Sequence, residues 1–337
     1  MSGKLRCFSF HSVKGGVGKS TLSTFVAYGL ARQGRDVVLI DLDLTGTSLS
    51  DVLALEAPRW AEDAIDLRSS PGAGFFDRAT TLERIRERDP REAMRLQVPF
   101  LNDFLLWSDP DWSTEHDVVP GALSWRVKGG PGNLAVIPSS ALPADLERII
   151  PVIFDEEHAA FLEARIEVLL DALMPAQGER VVVIDTPPTI PGLSRSVMSL
   201  ALRLGSEPKR ALAEDEYIPE RLRANPVSWQ IGMVVSRDRQ DLRAAERWLE
   251  LVEGADDRLF KLIVNRVPSG EVEQIRAELF GGLLGPGGGV EPSFPTLSNF
   301  GDPLLVPEHS GLQFFQREGT LPSDIAELLA ELAGEGA

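Results

Sequence analysis

The chain has 337 residues, 43% of them hydrophobic and 25% charged, a balance that excludes a disordered polymer and suits one large α/β domain carrying an insertion. Thirty-four Lys and Arg stand against 51 Asp and Glu, a net charge of −17, which opposes nucleic acid and anionic lipid unless the charge is segregated. One cysteine, Cys7, excludes an internal disulfide and a paired-cysteine metal site.

No stretch approaches the ~20 apolar residues of a membrane span. Residues 1–10 are mixed in character and lack a secretory apolar region, so a cytoplasmic location is expected. The first fifty residues hold six Lys/Arg and three Asp/Glu, a locally basic end on an acidic body.

Apolar runs and helical patterns alternate along the chain, which predicts a doubly wound, mostly parallel sheet with helices on both faces. The first strand is expected over Arg6–His11, with Cys7 as inert packing. It leads into Lys14-Gly15-Gly16-Val17-Gly18-Lys19-Ser20-Thr21 and a helix over Lys19–Gln33. Strand, glycine-rich loop and helix together form a phosphate-binding context. Glycines let several N–H groups turn toward phosphate oxygens, and the helix adds its positive end. Lys19 would neutralise β/γ-phosphate charge, and the Ser20 hydroxyl would ligate Mg²⁺. The usual G-x-x-x-x-G-K-[ST] pattern misses its first glycine, because Val13 stands there, and a second lysine, Lys14, opens the loop.

A second strand is expected over Asp36–Leu42, ending in Asp41-Leu42-Asp43-Leu44-Thr45. Carboxylates at a strand's C-terminal end lie where open α/β sheets bind ligands. An insertion, residues 51–132, follows and holds Trp60, Trp107, Trp112 and Trp125 among other aromatics; Trp229 and Trp248 are the only others. Such enrichment means a private subcore or a docking surface. Its stretch Arg78–Arg95 interleaves Arg with acidic residues at helical spacing, the pattern of a solvated ion-paired helix.

Further strands are expected at Leu134–Pro138, Arg180–Asp185, Gln230–Ser236, Phe260–Asn265 and Phe294–Asn299. Helices are expected at Ala159–Met174, Leu193–Leu204, Gln240–Val252, Gly270–Leu279 and Pro322–Leu332. Gly205–Pro226 reads as a charged, proline-rich surface excursion, and Gly281–Pro292 as a flexible loop. The apolar run Val181–Ile184 delivers Asp185 into Asp185-Thr186-Pro187-Pro188, an arrangement that holds Mg²⁺ through water. His11, His116, His158 and His309 show no metal-ligand spacing and read as structural or exposed.

The lysine-first loop and the Asp-Thr-Pro-Pro segment resemble the ParA/MinD family of deviant Walker A P-loop ATPases. The resemblance covers residues 6–50, 133–200 and 258–310. It implies ATP with Mg²⁺ as cofactors and a homodimer in the ATP state, with Lys14 reaching across to the partner's nucleotide. It gives Lys14, Lys19 and Asp43 catalytic roles, Asp43 by orienting the attacking water. Gly15, Gly16, Val17, Gly18, Lys19, Ser20 and Thr21 would hold the nucleotide. Ser20, Asp41 and Asp185 would serve the metal, Asp41 by supporting Mg²⁺ or the loop. Asn265, in Ile263-Val264-Asn265-Arg266, looks like the family's adenine-contacting Asn, with Arg266 also in the nucleotide site and Pro307 like part of the loop closing over the base. No acidic residue follows Asn265 to read guanine, which favours ATP over GTP.

The resemblance further implies slow hydrolysis that switches binding to a partner or surface, with intracellular cargo positioning as the leading role. The alternative is a targeting or regulatory ATPase that binds a protein client through the aromatic insertion. Non-specific DNA is disfavoured by net charge. Arg237, Arg239, Arg243 and Arg247 are interleaved with Asp238, Asp241 and Glu246. Membrane binding is disfavoured because the amphipathic stretch Ile325–Leu332 has no Lys or Arg on its polar side. Relatives that hold a cluster with cysteine pairs are poor matches to a chain with one cysteine.

Overall fold

The computed structural model describes residues 3–45, 49, 53, 55–56, 100–106, 124–140, 143–188, 192–205, 218–250, 252, 259–268, 270–280, 283–284, 290–291, 294–298 and 303–307. The strands are β1 (Gly3–His11), β2 (Asp36–Asp41), β3 (Leu55–Glu56), β4 (Trp125–Val127), β5 (Leu134–Ile137), β6 (Gly178–Asp185), β7 (Val227–Val235), β8 (Phe260–Val267), β9 (Leu283–Leu284), β10 (Val290–Glu291) and β11 (Leu304–Pro307). The helices are α1 (Lys19–Arg32), α2 (Leu101–Leu106), α3 (Pro143–Ile153), α4 (Ala159–Leu173), α5 (Leu193–Leu204), α6 (Glu220–Ala224), α7 (Arg239–Leu249), α8 (Val272–Phe280) and α9 (Pro295–Ser298).

One sheet of nine strands runs in the order β11-β8-β7-β1-β6-β2-β5-β4-β3. The strands from β11 to β5 are parallel, and β4 and β3 extend the edge antiparallel. Alternation along the central strands sorts side chains into two layers. Leu5 and Cys7 of β1 and Val38 and Ile40 of β2 join a core with α4 and α5. Phe8 and Phe10, with Val37 and Leu39, join a second core with Leu22, Phe25 and Val26 of α1. Coverage on both faces is why these strands read as continuous apolar runs. The architecture is the doubly wound α/β fold that the alternating pattern predicts.

The register fixes the working end. Phe10 and Asp41 both pair with Asp185, on neighbouring strands. The chain therefore leaves β1, β2 and β6 side by side at their C-terminal ends. Ligands bind there in open parallel sheets.

Several local expectations are corrected. Residues 294–298 are not a strand: Pro295 opens the short helix α9, a position where its missing N–H costs nothing, and the edge strand is Leu304–Pro307. The Gly205–Pro226 excursion contains the packed helix α6, whose Leu222 is fully buried and donates its N–H to Asp171 at 2.9 Å. The ends of the Gly281–Pro292 loop pair as β9 and β10.

Within the insertion, Phe100 stacks on Trp125 at 5.3 Å between centroids, and Arg165 of α4 lies 4.4 Å over the Phe104 ring. These aromatics are core. Trp60, Trp107, Trp112, Arg78–Arg95 and the predicted helix Pro322–Leu332 lie outside the described residues. Among the described residues no helix is long and apolar enough to cross a membrane.

Candidate nucleotide-binding site

The chain leaves the sheet after His11 and turns at once. Ser12 Oγ donates to the Lys14 carbonyl at 2.9 Å. Gly16 (φ 79°) and Gly18 (φ 90°) adopt left-handed conformations, and the Gly18 carbonyl accepts the first bond of α1 from Leu22 at 3.0 Å. Glycine is required at 18 for a second reason: an added Cβ would lie 2.3 Å from Asn265 Nδ2. The first-turn N–H groups of α1, which have no partners within the helix, therefore open onto a cavity of about 230 Å³. Gly15–Thr21, Ser12, Asp43, Pro188 and Arg266 line it.

Charge converges beside this cavity. Lys19 Nζ lies 3.0 Å from Asp185 Oδ1 and 3.6 Å from Asp43 Oδ2, and the lysine is 5% exposed. Burial works against the ammonium, but the charges of Asp185 and Asp43 and the bond to Asp185 outweigh it, so its pKa stands above the ordinary lysine value. Burial lifts the Asp185 carboxyl, while Lys19 and a hydrogen bond from Ser20 oppose the lift. Asp185 Oδ2 is buried without a hydrogen-bond partner. Asp43 accepts from Thr45 N–H at 3.4 Å and Thr45 Oγ1 at 3.2 Å, which orients its carboxylate at the cavity wall.

Asp41 has a different position. It is fully buried and lies outside the cavity lining. Oδ2 accepts from Leu49 N–H and Ser139 Oγ, each at 2.8 Å, and Oδ1 from Asp43 N–H at 3.3 Å. Burial and the neighbouring Asp185 charge push it up to about 7, against the pull of the Leu49 and Ser139 hydrogen bonds. Leu49 N–H, Ser139 Oγ and Asp43 N–H thus hold both of its oxygens.

The other predicted residues divide. Lys14 does not reach into its own cavity; its Nζ is 3.9 Å from Asp238 and its side chain 43% exposed. Asn265 is 1% exposed, and its Nδ2 donates to the Val17 carbonyl at 2.8 Å. It braces the loop from beneath and is absent from the cavity lining. Arg266 lines the cavity and holds a left-handed φ of 59°, a conformation no other non-glycine among the described residues adopts. Strain of that kind clusters at ligand sites. Pro307 ends β11 in register with Val267.

Sequence reasoning missed Ser139, the partner of Asp41, and Pro188 as a cavity wall. The Pro138-Ser139-Ser140 run after β5 was the available signal for the first.

The donor set fits a nucleotide phosphate with magnesium. Left-handed glycines and a helix N-terminus present N–H groups, Lys19 supplies positive charge, and Ser20 with the partnerless Asp185 Oδ2 offers hard oxygen ligands.

Part of the chain is similar to known proteins in sequence, and the described fold is similar to solved structures. Residues 6–71 match the ParA family model described as NUBPL iron-transfer P-loop NTPase. A cytosolic Fe-S cluster assembly factor Nubp2 homolog from Drosophila persimilis is 34% identical over 111 residues, 30% of this chain and 42% of that protein. The NUBP2 homolog of Culex quinquefasciatus is 56% identical over 45 residues, 13% of this chain and 18% of that protein. The chain thus spans less than half the length of these curated relatives. Among solved structures, the MinD cell division protein of Aquifex aeolicus is 19% identical over 98% of both chains, with a TM-score of 0.50. An ATP complex of Cyanothece McdA is 16% identical over 99% of this chain and 98% of that one, with a TM-score of 0.51. At such identities the solved structures speak for the fold alone. Residues 6–71, which hold the lysine-first loop, thus match the ParA family model, and the doubly wound sheet is the fold of the MinD and McdA structures.

Proposed function

We propose that this protein is a Mg²⁺-dependent ATPase whose ATP-bound form closes a homodimer, and that hydrolysis reopens it to switch binding to a partner. The observation that carries the reading is the division of labour between two lysines. Lys19 is buried against Asp185 and Asp43 at the cavity, whereas Lys14, in the same loop, stands outside the cavity and half exposed. A lysine placed there suits a site on another subunit. Charge delivered only on assembly would tie phosphoryl transfer to the dimer.

The N–H groups of Gly15–Thr21 and the Lys19 ammonium would hold the phosphates. Ser20 and Asp185 would hold magnesium, which, when bound, neutralises charge on the β- and γ-phosphates. Asp43, held by Thr45, would orient the attacking water. Attack of water would form the new P–O bond as the bond to ADP breaks, with the water's proton passing to the released phosphate or solvent, and Lys14 of the other subunit would meet the developing charge. Arg266 at the cavity rim would pack against the base, with Asn265 holding the loop floor.

Cargo positioning remains the leading biological reading, acting on a surface or a protein partner from a cytoplasmic pool. One observation favours the client-binding alternative. Among the described residues, the exposed large hydrophobics are Ile150, Phe154 and Phe161, all at the corner between α3 and α4. The basic stretch around α7 is partly neutralised, with Arg237 paired to Glu271 and Asp238 beside Lys14. The iron–sulfur role named for the Nubp2 relatives is not proposed. The one cysteine is buried in β1, and burial pushes its thiol well above the ordinary range, where a thiolate ligand is disfavoured.

The test is sedimentation and turnover of the wild type and Asp43→Ala with ATP and Mg²⁺. An ATP-dependent Asp43→Ala dimer with lost turnover supports the switch; a monomer that hydrolyses normally overturns it. Adding non-specific duplex DNA at low and moderate salt decides the partner class. ATP-dependent, salt-sensitive binding favours DNA-borne cargo positioning, and its absence favours a protein client.

A further inference from the structure

His11 ends β1, one residue before the phosphate loop begins at Ser12, and is 1% exposed. Its Nδ1 lies 2.9 Å from Ser194 Oγ. Ser194 belongs to the first turn of α5, the helix that follows the Asp185–Pro188 segment. Thr186 completes a polar chain between the two. Its hydroxyl donates to the Phe10 carbonyl at 2.7 Å, lies 3.5 Å from His11 Nδ1, and accepts from Ser194 Oγ at 3.4 Å. Three segments are joined this way: the strand that carries the loop, the segment after β6 that carries Asp185, and the helix beyond it.

Packing alone does not explain a histidine here. The register neighbour is Met233, and an aliphatic side chain would fill a buried strand end at no polar cost. His11 Nε2 is instead buried without a hydrogen-bond partner. A polar network retained at that cost is specific in what it holds together. Burial, and then the Lys19 charge, depress the imidazole to about 3, so the ring stays neutral and acts through hydrogen bonds. The far side of the link is closely packed. Gly192 sits at φ 74°, and an added Cβ there would lie 1.7 Å from the Ile153 carbonyl, so the start of α5 packs directly against the end of α3.

We propose that His11 is a positioning residue that couples the phosphate loop to α5 through Ser194 and Thr186, so that the state of the nucleotide site sets the position of that helix. The proposal rests on the nucleotide-binding reading above.

Hydrogen–deuterium exchange of the α5 amides tests it in the full chain, with ATPγS and Mg²⁺, with ADP and Mg²⁺, and with neither. His11→Asn keeps a hydrogen-bonding atom near the Nδ1 position; His11→Val and Ser194→Ala remove the link from either end. Wild type and His11→Asn should show a clear nucleotide-dependent change in α5 exchange, the readout of local opening. His11→Val and Ser194→Ala should lose most of it while nucleotide Kd stays within about threefold, because the loop contacts remain. A wild-type response in His11→Val, or in Ser194→Ala should the valine variant not fold, overturns the coupling. So does failure of His11→Asn to retain the response, or a wild-type α5 that ignores nucleotide. No nucleotide binding by the wild type would instead strike the nucleotide-binding reading, and the coupling with it.

Discussion

Lys19 Nζ stands 3.0 Å from Asp185 Oδ1, so a cation from the phosphate loop and a carboxylate from the end of β6 meet as two buried side chains. Asp43, from the segment after β2, approaches the same ammonium at 3.6 Å. One group therefore ties three segments together, and a phosphate entering the cavity competes with both carboxylates for it.

Lys19→Ala is expected to remove ATP binding and also to destabilise the fold. The stability loss should be about 3–5 kcal/mol, the cost of leaving a buried carboxylate uncompensated. The double variant Lys19→Met with Asp185→Asn should recover much of that loss without recovering affinity. Urea unfolding and a fluorescent-nucleotide titration separate the two. A double variant as unstable as Lys19→Ala would show that the Asp185 charge is not the cause.

Lys14→Ala should behave differently. Its contact with Asp238 is 3.9 Å long between half-exposed side chains. Such pairs contribute about 0–1 kcal/mol, so the melting temperature should barely move. Nucleotide affinity should also hold, because Lys14 lies outside the cavity. Turnover should fall by about 10³-fold or more, as when a trans-acting cation is lost in phosphoryl transfer. Wild-type turnover in Lys14→Ala would place the assembly-dependent charge elsewhere.

Gly18→Ala tests the loop backbone. Position 18 combines φ 90° with 2.3 Å between an added Cβ and Asn265 Nδ2. Backbone strain at such a site costs about 1–3 kcal/mol, and displacing Asn265 would break its 2.8 Å bond to the Val17 carbonyl. The variant should lose stability and nucleotide affinity together. Asn265→Ala should lose affinity in the same way although Asn265 does not line the cavity. Full affinity in Asn265→Ala would refute its bracing role.

The parts of this site legible in sequence are those set by a local pattern. The glycine spacing of 15–18, Lys19, and Asp185 at the end of an apolar run each announce themselves because strand, turn and helix N-terminus follow one another within a few residues. What was not legible depends on register between distant strands. Nothing near Asp41 indicates that Ser139 will donate to it from the end of β5. Asn265 reads as a base contact until β8 is seen to deliver it beneath the loop. The same limit applies to His11, whose partners are 175 and 183 residues away. The end of the chain misled for a local reason: Phe294 and Leu297 are buried apolar residues, but Pro295 starts a helix between them and the edge strand begins later.

Asp41 and His11 should make stability depend on pH in opposite directions. Asp41 is pushed up to about 7 in the fold from an ordinary 3.8. Between those values the folded chain holds a proton that the unfolded chain has released, so this group's contribution falls as pH rises from about 4 to 7. His11 is depressed to about 3 from an ordinary 6.5. Over that range the unfolded chain binds the extra proton, so its contribution rises as pH rises from about 3 to 6.5. The two slopes oppose each other across the shared window, and removing either group exposes the other. Asp41→Asn should gain stability relative to wild type as pH rises from 4.5 to 6.5, by about 1.4 kcal/mol per pH unit at most, and His11→Asn should lose it at a similar rate. Urea unfolding at pH 4.5, 5.5, 6.5 and 7.5 gives both differences, with all other titrating groups common to the pair compared. A difference that does not change with pH would show that the carboxyl, or the imidazole, titrates near its ordinary value in the fold.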